Sequence, residues 1–488
     1  MAIGAYVLLF ALGALFIQSL LRTLWSPLRA VPGSFWAQFT RLWYLKEVWT
    51  GTFPQTNIEL HDKHGPIVRI APNEYSVDDP EAIKIIYGHG TAFTKGPWYR
   101  ASQPPHQANL FTLSDQKRHA EERRKFASLY AMSSLVTMEQ AVDHCIECIK
   151  DRFAEMARSK ETFDLQWWMQ CFAFDTIGEI SVSKRFGFLD AGKDPLNIID
   201  GIDGFLLYAA RVGVYPWAHP LLFKVSSLLG TNGFSLAAKF AVDQVHAYKQ
   251  NVQGETFLAK ALRVHQEQPN KISQGDVLNI CLMNVMAGSD TTSVSLTSVI
   301  WQLLKNPSAL QKLRTEVDEM YNSGAIKETV VFAQAQKMSY LQAVIKEALR
   351  MHPATGLPIS RVVPKGGATI SGRFFPEGTI VGINAWVAHY NKQVYGDDVS
   401  EFRPERWLVS KEVEQTLERY WIPFGHGSRT CIGKNIALME ISKIIPQLVR
   451  HFDFSLVDPN KEPEMHNVWF VKQRGIKVSV KLREISRA

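Results

Sequence analysis

One cysteine in a glycine-punctuated loop constrains this chain more than any other feature. Residues 424–433 read Phe-Gly-His-Gly-Ser-Arg-Thr-Cys-Ile-Gly, and a helical stretch from Lys434 to His451 follows directly. Gly425, Gly427 and Gly433 allow tight turns and a close approach of backbone to a flat partner. Cys431 then stands at a helix N-terminus, where free N–H groups and the helix dipole lower a thiol pKa. Arg429, two residues earlier, offers a fork-shaped cation suited to a carboxylate. A thiolate with no second sulfur nearby suits the single axial position of haem iron. The alternative is a buried, inert cysteine. That alternative gives no reason for three glycines and an arginine around one sulfur.

Composition narrows the rest. The 488 residues are 46% hydrophobic and 21% charged, which excludes a disordered chain and allows one large domain. The five cysteines lie at 145, 148, 171, 281 and 431; an odd count argues against a disulfide framework. Cys145 and Cys148 match C-x-x-C, but there is no second pair, and the flanking Ala141–Phe153 reads as an amphipathic helix. The net charge is +7. Basic residues are dispersed among acids with no basic run carrying interleaved aromatics, which argues against nucleic acid. An anionic lipid surface and an acidic electron donor explain the excess.

Ile3 to Leu21 carry no charge. Nineteen helical residues rise about 28 Å, close to a bilayer's hydrocarbon core. A cleaved signal peptide would need a basic start and a shorter apolar core. Instead, Arg22, Arg29, Arg41 and Lys46 follow the run before the first acid, Glu47. The positive-inside rule then keeps the body cytoplasmic. Trp25 suits the interface, and Pro27 to Gly33 break the helix. The reading is a membrane anchor over 1–22, a proline-rich hinge over 23–33 and one catalytic body over 34–488. In that body, apolar spacing is mostly helical from about 118 to 350. Strands are expected at Ile67–Ala71, Tyr75–Val77, Ile359–Val363, Thr379–Ile383 and Ile476–Val480.

Gln274–Lys305 lacks proline and any long polar break, so a long buried helix is expected there. Its middle reads Ala287-Gly288-Ser289-Asp290-Thr291-Thr292. A glycine, a buried acid and paired threonines all oppose a stable helix interior, and local rules broken together mark a site. Cleaving dioxygen consumes protons; a threonine hydroxyl can hold oxygen and water, and a carboxylate can relay protons. Small Ala287 and Gly288 leave room for oxygen. The competing reading has Asp290 in solvent and Thr291 bonded back to the preceding turn. Farther on, Glu347 and Arg350 share a helix face, and Phe402-Arg403-Pro404-Glu405-Arg406-Trp407 follows. An ordinary surface ion pair would be worth under about 1 kcal/mol.

The segment Phe424–Gly433 resembles the F-x-x-G-x-R-x-C-x-G haem signature of the cytochrome P450 family. Ala287–Thr292, Glu347–Arg350 and Pro404–Trp407 resemble its oxygen, E-x-x-R and P-E-R-F motifs, in the family's order. The resemblance spans nearly the whole chain, and the loops are most similar to fungal microsomal members of secondary metabolism, the pisatin demethylase-like group. It implies a mainly α fold with a small β portion, preceded by a single transmembrane helix. It implies haem b with Cys431 as axial ligand, Phe424 and Gly433 in the cysteine loop, and Thr291 as the oxygen-handling alcohol with Asp290 as its acid partner. It implies a buried triad of Glu347, Arg350 and Arg406. Trp407 stands where phenylalanine is usual, and His119 where many relatives have tryptophan. His119, Arg123, Arg361 and Arg429 are the implied haem-propionate partners.

The resemblance further implies a lipophilic substrate. Its pocket would be lined by Trp98–Leu113, Phe205–Phe223, the helix before Asp290, Ala354–Ile359 and Val468–Val471. The aromatic stretch Phe205–Trp217 would also dip into the bilayer. No G-x-G-x-x-G follows a strand, so electrons must come from NADPH through a separate cytochrome P450 reductase, with cytochrome b5 as a second donor. The implied location is the endoplasmic reticulum membrane. A peroxide isomerase and a non-catalytic haem carrier are the rivals; both conflict with an intact acid–threonine pair.

Overall fold

The computed structural model describes residues 24–194, 197–230, 233–249, 255–467 and 469–484, with Gly13 and Leu21 as isolated points. The expected anchor therefore lies outside the described residues, as does Val468. Among the described residues no helix is long and apolar enough to cross a membrane.

Twelve short strands and a larger helical mass make up the described body. The main sheet has the order β1 (Ile67–Ala71), β2 (Glu74–Val77), β8 (Ile380–Gly382), β5 (Arg361–Val362), β3 (Thr94–Lys95). The other strands are β4 (Phe163–Asp164), β6 (Ala368–Ile370), β7 (Arg373–Phe375), β9 (Phe452–Leu456), β10 (Glu464–Asn467), β11 (Val471–Arg474) and β12 (Lys477–Leu482). All five expected strand regions are present. Two of them, far apart in sequence, join in one sheet: β2 runs parallel to β8, with Tyr75 opposite Val381. Pro358 and Pro364 bracket the third region, and only Arg361–Val362 pairs as strand. The segment after Pro27 is fastened to this sheet: Leu28 and Val31 are buried, and Arg69 donates to Leu28 O at 2.7 Å.

The helices that build the site are α1 (Gln116–Phe126), α2 (Glu139–Ser159), α3 (Leu165–Val182), α4 (Ile198–Val212), α5 (His219–Leu228), α6 (Gln274–Lys305), α7 (Ser339–Met351) and α8 (Lys434–His451). Cys145 and Cys148 lie one turn apart on α2. The bounds of α6 match the sequence reading. A capping box of Ser273 and Asp276 starts this 32-residue helix, and Pro307 follows its end. It runs against α3, which is buried almost all round. α8 continues through Pro446. Residues 441–449 are all buried, so packing holds the helix past the missing proline N–H.

Candidate haem-thiolate site

The cysteine loop is a clamp. Cys431 N–H donates to Phe424 O at 2.8 Å, and Thr430 Oγ1 bonds the same carbonyl at 3.1 Å. Phe424 thus closes the loop through its backbone, while its ring meets Trp421 at 6.0 Å. Gly425 and Gly427 have φ of 70° and 66°, the left-handed region that favours glycine. A Cβ on Gly427 would lie 1.7 Å from Tyr87 O. Gly433 differs from the expectation: its φ is −83° and it needs no special freedom.

Cys431 opens to solvent on one side, and protein crowds it on the others. The crowding governs its chemistry. Burial pushes the thiol pKa up, against the opposing pull of the Gly433 and Lys434 N–H groups and of Arg123. This corrects the expected lowering by a helix terminus. The N–H groups give the sulfur a seat, and a bound metal ion would remove the proton outright.

Cations converge beside that sulfur. On adjacent strands Lys95 lies directly opposite Arg361, an arrangement that costs stability when nothing neutralises it. Burial, then Arg361, Arg429 and Arg123, hold the Lys95 ammonium well below its usual pKa. Its Nζ donates to Phe111 O and lies over the Tyr99 and Phe111 rings at 4.5 and 4.3 Å. His119 is buried on α1. Burial, followed by Arg429, Lys95, Arg123 and Arg361, lowers its pKa to about 3, so it is a neutral imidazole. Arg361 lies over the Tyr87 ring at 5.0 Å. Arg429 donates to Leu113 O, to Ser114 O at 3.1 Å and to Asp115 O at 3.3 Å. Burial and then Arg361 pull it down to about 10. The four residues expected to meet haem propionates are therefore together, and Lys95 joins them. Four cations pressed against one another are the counterpart of a dianion, so these residues fit haem b.

The oxygen motif divides in space. Consecutive helical residues point about 100° apart. Thr291 and Ala287, four apart, share a face that opens to solvent. Thr291 Oγ1 donates back to Ala287 O at 2.8 Å. Asp290 is fully buried on another face. Its Oδ1 accepts from Gln170 Nε2 on α3 at 2.6 Å and from Lys472 Nζ on β11 at 3.1 Å. Lys472 also pairs with Asp203 of α4, which Arg474 meets at 3.0 Å. Burial raises the Asp290 pKa to about 6 despite Lys472. Among the described residues, the acid is bonded to Gln170 and Lys472 rather than to Thr291. Gly288 also differs: a Cβ there would sit 3.1 Å from Ile177, so the glycine serves α3–α6 packing.

The triad forms as expected. Glu347 takes Arg350 at 2.8 Å through each oxygen, and Arg406 Nε at 3.2 Å. Trp407 Nε1 donates to Glu347 Oε2 at 2.9 Å, a bond phenylalanine could not make. Arg350 Nη1 donates to His389 O at 2.9 Å. His389 Nε2 accepts Ile422 N–H at 2.9 Å, which carries the triad's order to the cysteine loop. Of the expected pocket segments, Trp98, Tyr99, Phe111, Trp469 and Phe470 make one aromatic wall, with Trp98 and Trp469 at 4.4 Å. Trp98 and Val214–Trp217 line a cavity of 200 Å³ with Arg41 and Glu74. Phe205 is buried against Phe234 rather than facing outward; Trp217 is 79% exposed. Sequence reasoning missed Lys95, Gln170, Asp203 and Lys472. The isolated lysine in Thr94-Lys95-Gly96 was the one local signal.

Comparison with known proteins agrees. The Cytochrome P450 family model matches residues 32–480. A pisatin demethylase of Fusarium vanettenii is 38% identical over 96% of this chain and 90% of its own length. Cytochrome P450 monooxygenase gsfF of Penicillium aethiopicum is 36% identical over 95% of each chain. Cytochrome P450 monooxygenase pkfB of Emericella nidulans is 34% identical over 99% of this chain and 97% of its own. A cysteine on an open crevice, a ring of unneutralised cations and an end-to-end match lead to one conclusion: the chain belongs to the cytochrome P450 family, whose members are oxygen-incorporating oxidoreductases.

Proposed function

We propose that this monooxygenase takes electrons from NADPH through a separate cytochrome P450 reductase, with cytochrome b5 as a second donor, and oxidises a small lipophilic compound of secondary metabolism. The observation that carries the reading is the gathering of Lys95, Arg123, Arg361 and Arg429, with Arg123 acting on Cys431. Haem b held by Cys431 supplies the redox chemistry on dioxygen. The chain's own residues do the rest. The four cations would neutralise the propionates of a bound haem, and the neutral His119 would donate or accept beside them. Thr291 keeps its proton on Ala287 O and presents its lone pairs to the open face. Asp290, its pKa raised to about 6 by burial, can take up and release a proton just below neutral pH, and the aromatic wall excludes water and favours an apolar ligand. α1 also exposes Lys117, Arg118 and Arg124, a surface suited to an acidic electron donor.

Residues 1–22 anchor the enzyme in the endoplasmic reticulum membrane with the body in the cytoplasm. Exposed Trp25, Trp217, Leu228 and Leu229 support contact with lipid. Arg41 shares a cavity with Trp217, and Arg211 lies 3.8 Å over the Trp49 ring. The N-terminal segment and the α4–α5 turn therefore share one side. The deciding test is the absorbance of the reduced, carbon-monoxide-bound protein in wild type and Cys431→Ser. The variant loses the thiolate-specific band; retention of the band refutes the ligand. Turnover must also require NADPH, reductase and oxygen together.

A further inference from the structure

Lys472 occupies an unusual place. It is 1% exposed, on the short β10–β11 hairpin, and its single ammonium meets two carboxylates from two helices. One is Asp290 of α6. The other is Asp203 of α4, the helix that leads into the exposed α4–α5 turn. The two acids are not served equally. Asp203 has Arg474 as a second cation at 3.0 Å, whereas Asp290, among the described residues, has only the neutral amide of Gln170 besides Lys472. The second oxygen of Asp290, Oδ2, is buried and has no hydrogen-bond partner. An orphaned carboxylate oxygen in a dry site is costly unless it takes up a proton. The same hairpin carries Trp469 and Phe470 into the aromatic wall. The hairpin therefore touches the aromatic wall, α4 and α6.

We propose that Lys472 is a positioning residue for oxygen chemistry: shared between Asp203 and Asp290, it holds the Asp290 carboxylate in reserve and releases it to the extent that Asp203 claims the ammonium. The seating of α4 on the hairpin then sets whether the acid can move a proton. Ligand closure and proton delivery become one event, which keeps reduced oxygen from being wasted when the pocket is empty. The inference rests on the reading of Asp290 as the oxygen acid. The groups that face this acid are Gln170 from α3, Lys472 from β11 and Asp203 from α4, with Arg474 and His466 of the hairpin acting on Asp203 and Lys472. Asp203 raises the proton affinity of Asp290 and Lys472 lowers it. Their removal must therefore act in opposite directions.

The test is an infrared pH titration of the haem-loaded full-length protein, following the protonated-carboxyl band that disappears in Asp290→Asn. Asp203→Asn frees Lys472 for Asp290 and moves the titration to lower pH. Lys472→Met leaves the acid without a cation and moves it to higher pH. Each shift is about one pH unit or more, a tenfold change in the protonated fraction at fixed pH. Lys472→Arg keeps the wild-type midpoint. Folding is checked by the carbon-monoxide band. If Lys472→Met does not fold, Asp203→Asn alone decides, because it must shift downward. Shifts in one common direction, or no shift, overturn the proposal. The readout needs no turnover, so a protein that titrates as described yet inserts no oxygen refutes the function and leaves the sharing of Lys472 standing.

Discussion

Replacing Gly427 by alanine should do far more damage than the same change at Gly425, two residues away in the same loop. Both glycines have positive φ, 66° and 70°. Alanine in that region costs about 1–2 kcal/mol. At Gly425 nothing is added, since the nearest atom to a new Cβ is Ile359 Cδ1 at 3.9 Å. At Gly427 the Cβ would stand 1.7 Å from Tyr87 O and 2.9 Å from its carbonyl carbon. That carbonyl is backbone and cannot swing aside. Tyr87 is also pinned at its other end: its hydroxyl donates to Ile359 O and accepts from Ile383 N–H, both at 2.7 Å. Arg361 lies over its ring. Relief must come from displacing the cysteine loop or Tyr87, and the second choice disturbs a propionate partner. The total should exceed about 4 kcal/mol, in the range reserved for severe core lesions. Denaturant unfolding of the two variants, with the thiolate band of the carbon-monoxide complex as a check on the site, measures both. Gly425→Ala should keep most of its haem and Gly427→Ala should lose it. Equal losses within about 1 kcal/mol would refute the reasoning.

Three further outcomes are expected. Lys95→Met should stabilise the apoprotein by roughly 1–3 kcal/mol, because it removes a buried amine crowded by Arg361, Arg429 and Arg123. The same variant should release haem to apomyoglobin about tenfold faster, a loss near 1.4 kcal/mol. Trp407→Phe should cost about 2 kcal/mol in thermal unfolding, since a buried bond to the Glu347 side chain, itself paired with Arg350 and Arg406, is lost. Reversing charge at Lys117 and Arg124 should slow reduction by the reductase severalfold at low salt in stopped-flow traces, with the difference fading at high salt.

What the sequence could disclose was local. The cysteine loop was legible because its glycines, arginine and sulfur lie within ten residues. The α6 limits were legible because Gln274–Lys305 runs without proline or a long polar break. The partners of Asp290 were not. Gln170 is 120 residues away, and the Lys472–Asp203 pair spans 269; no periodicity connects them. Adjacency misled at Asp290–Thr291, where neighbours in sequence diverge around a helix. It misled again at Gly288, where the missing side chain makes room for Ile177. Lys95 escaped because its meaning lies in strand pairing with Arg361, 266 positions on. Likewise, the Gly433 motif position carries no conformational demand from the protein itself.

The parallel seam between β2 and β8 has a consequence for biosynthesis. A bound haem's polar edge would meet Lys95 and Arg123 together with Arg361 and Arg429, groups far apart in sequence, and its iron would meet Cys431. The prosthetic group can therefore be retained only after Cys431 has been made and has met strands synthesised much earlier. Until haem arrives, the folded body would carry a cluster of like charges that opposes its own closure, so pigment supply should govern the yield of mature enzyme.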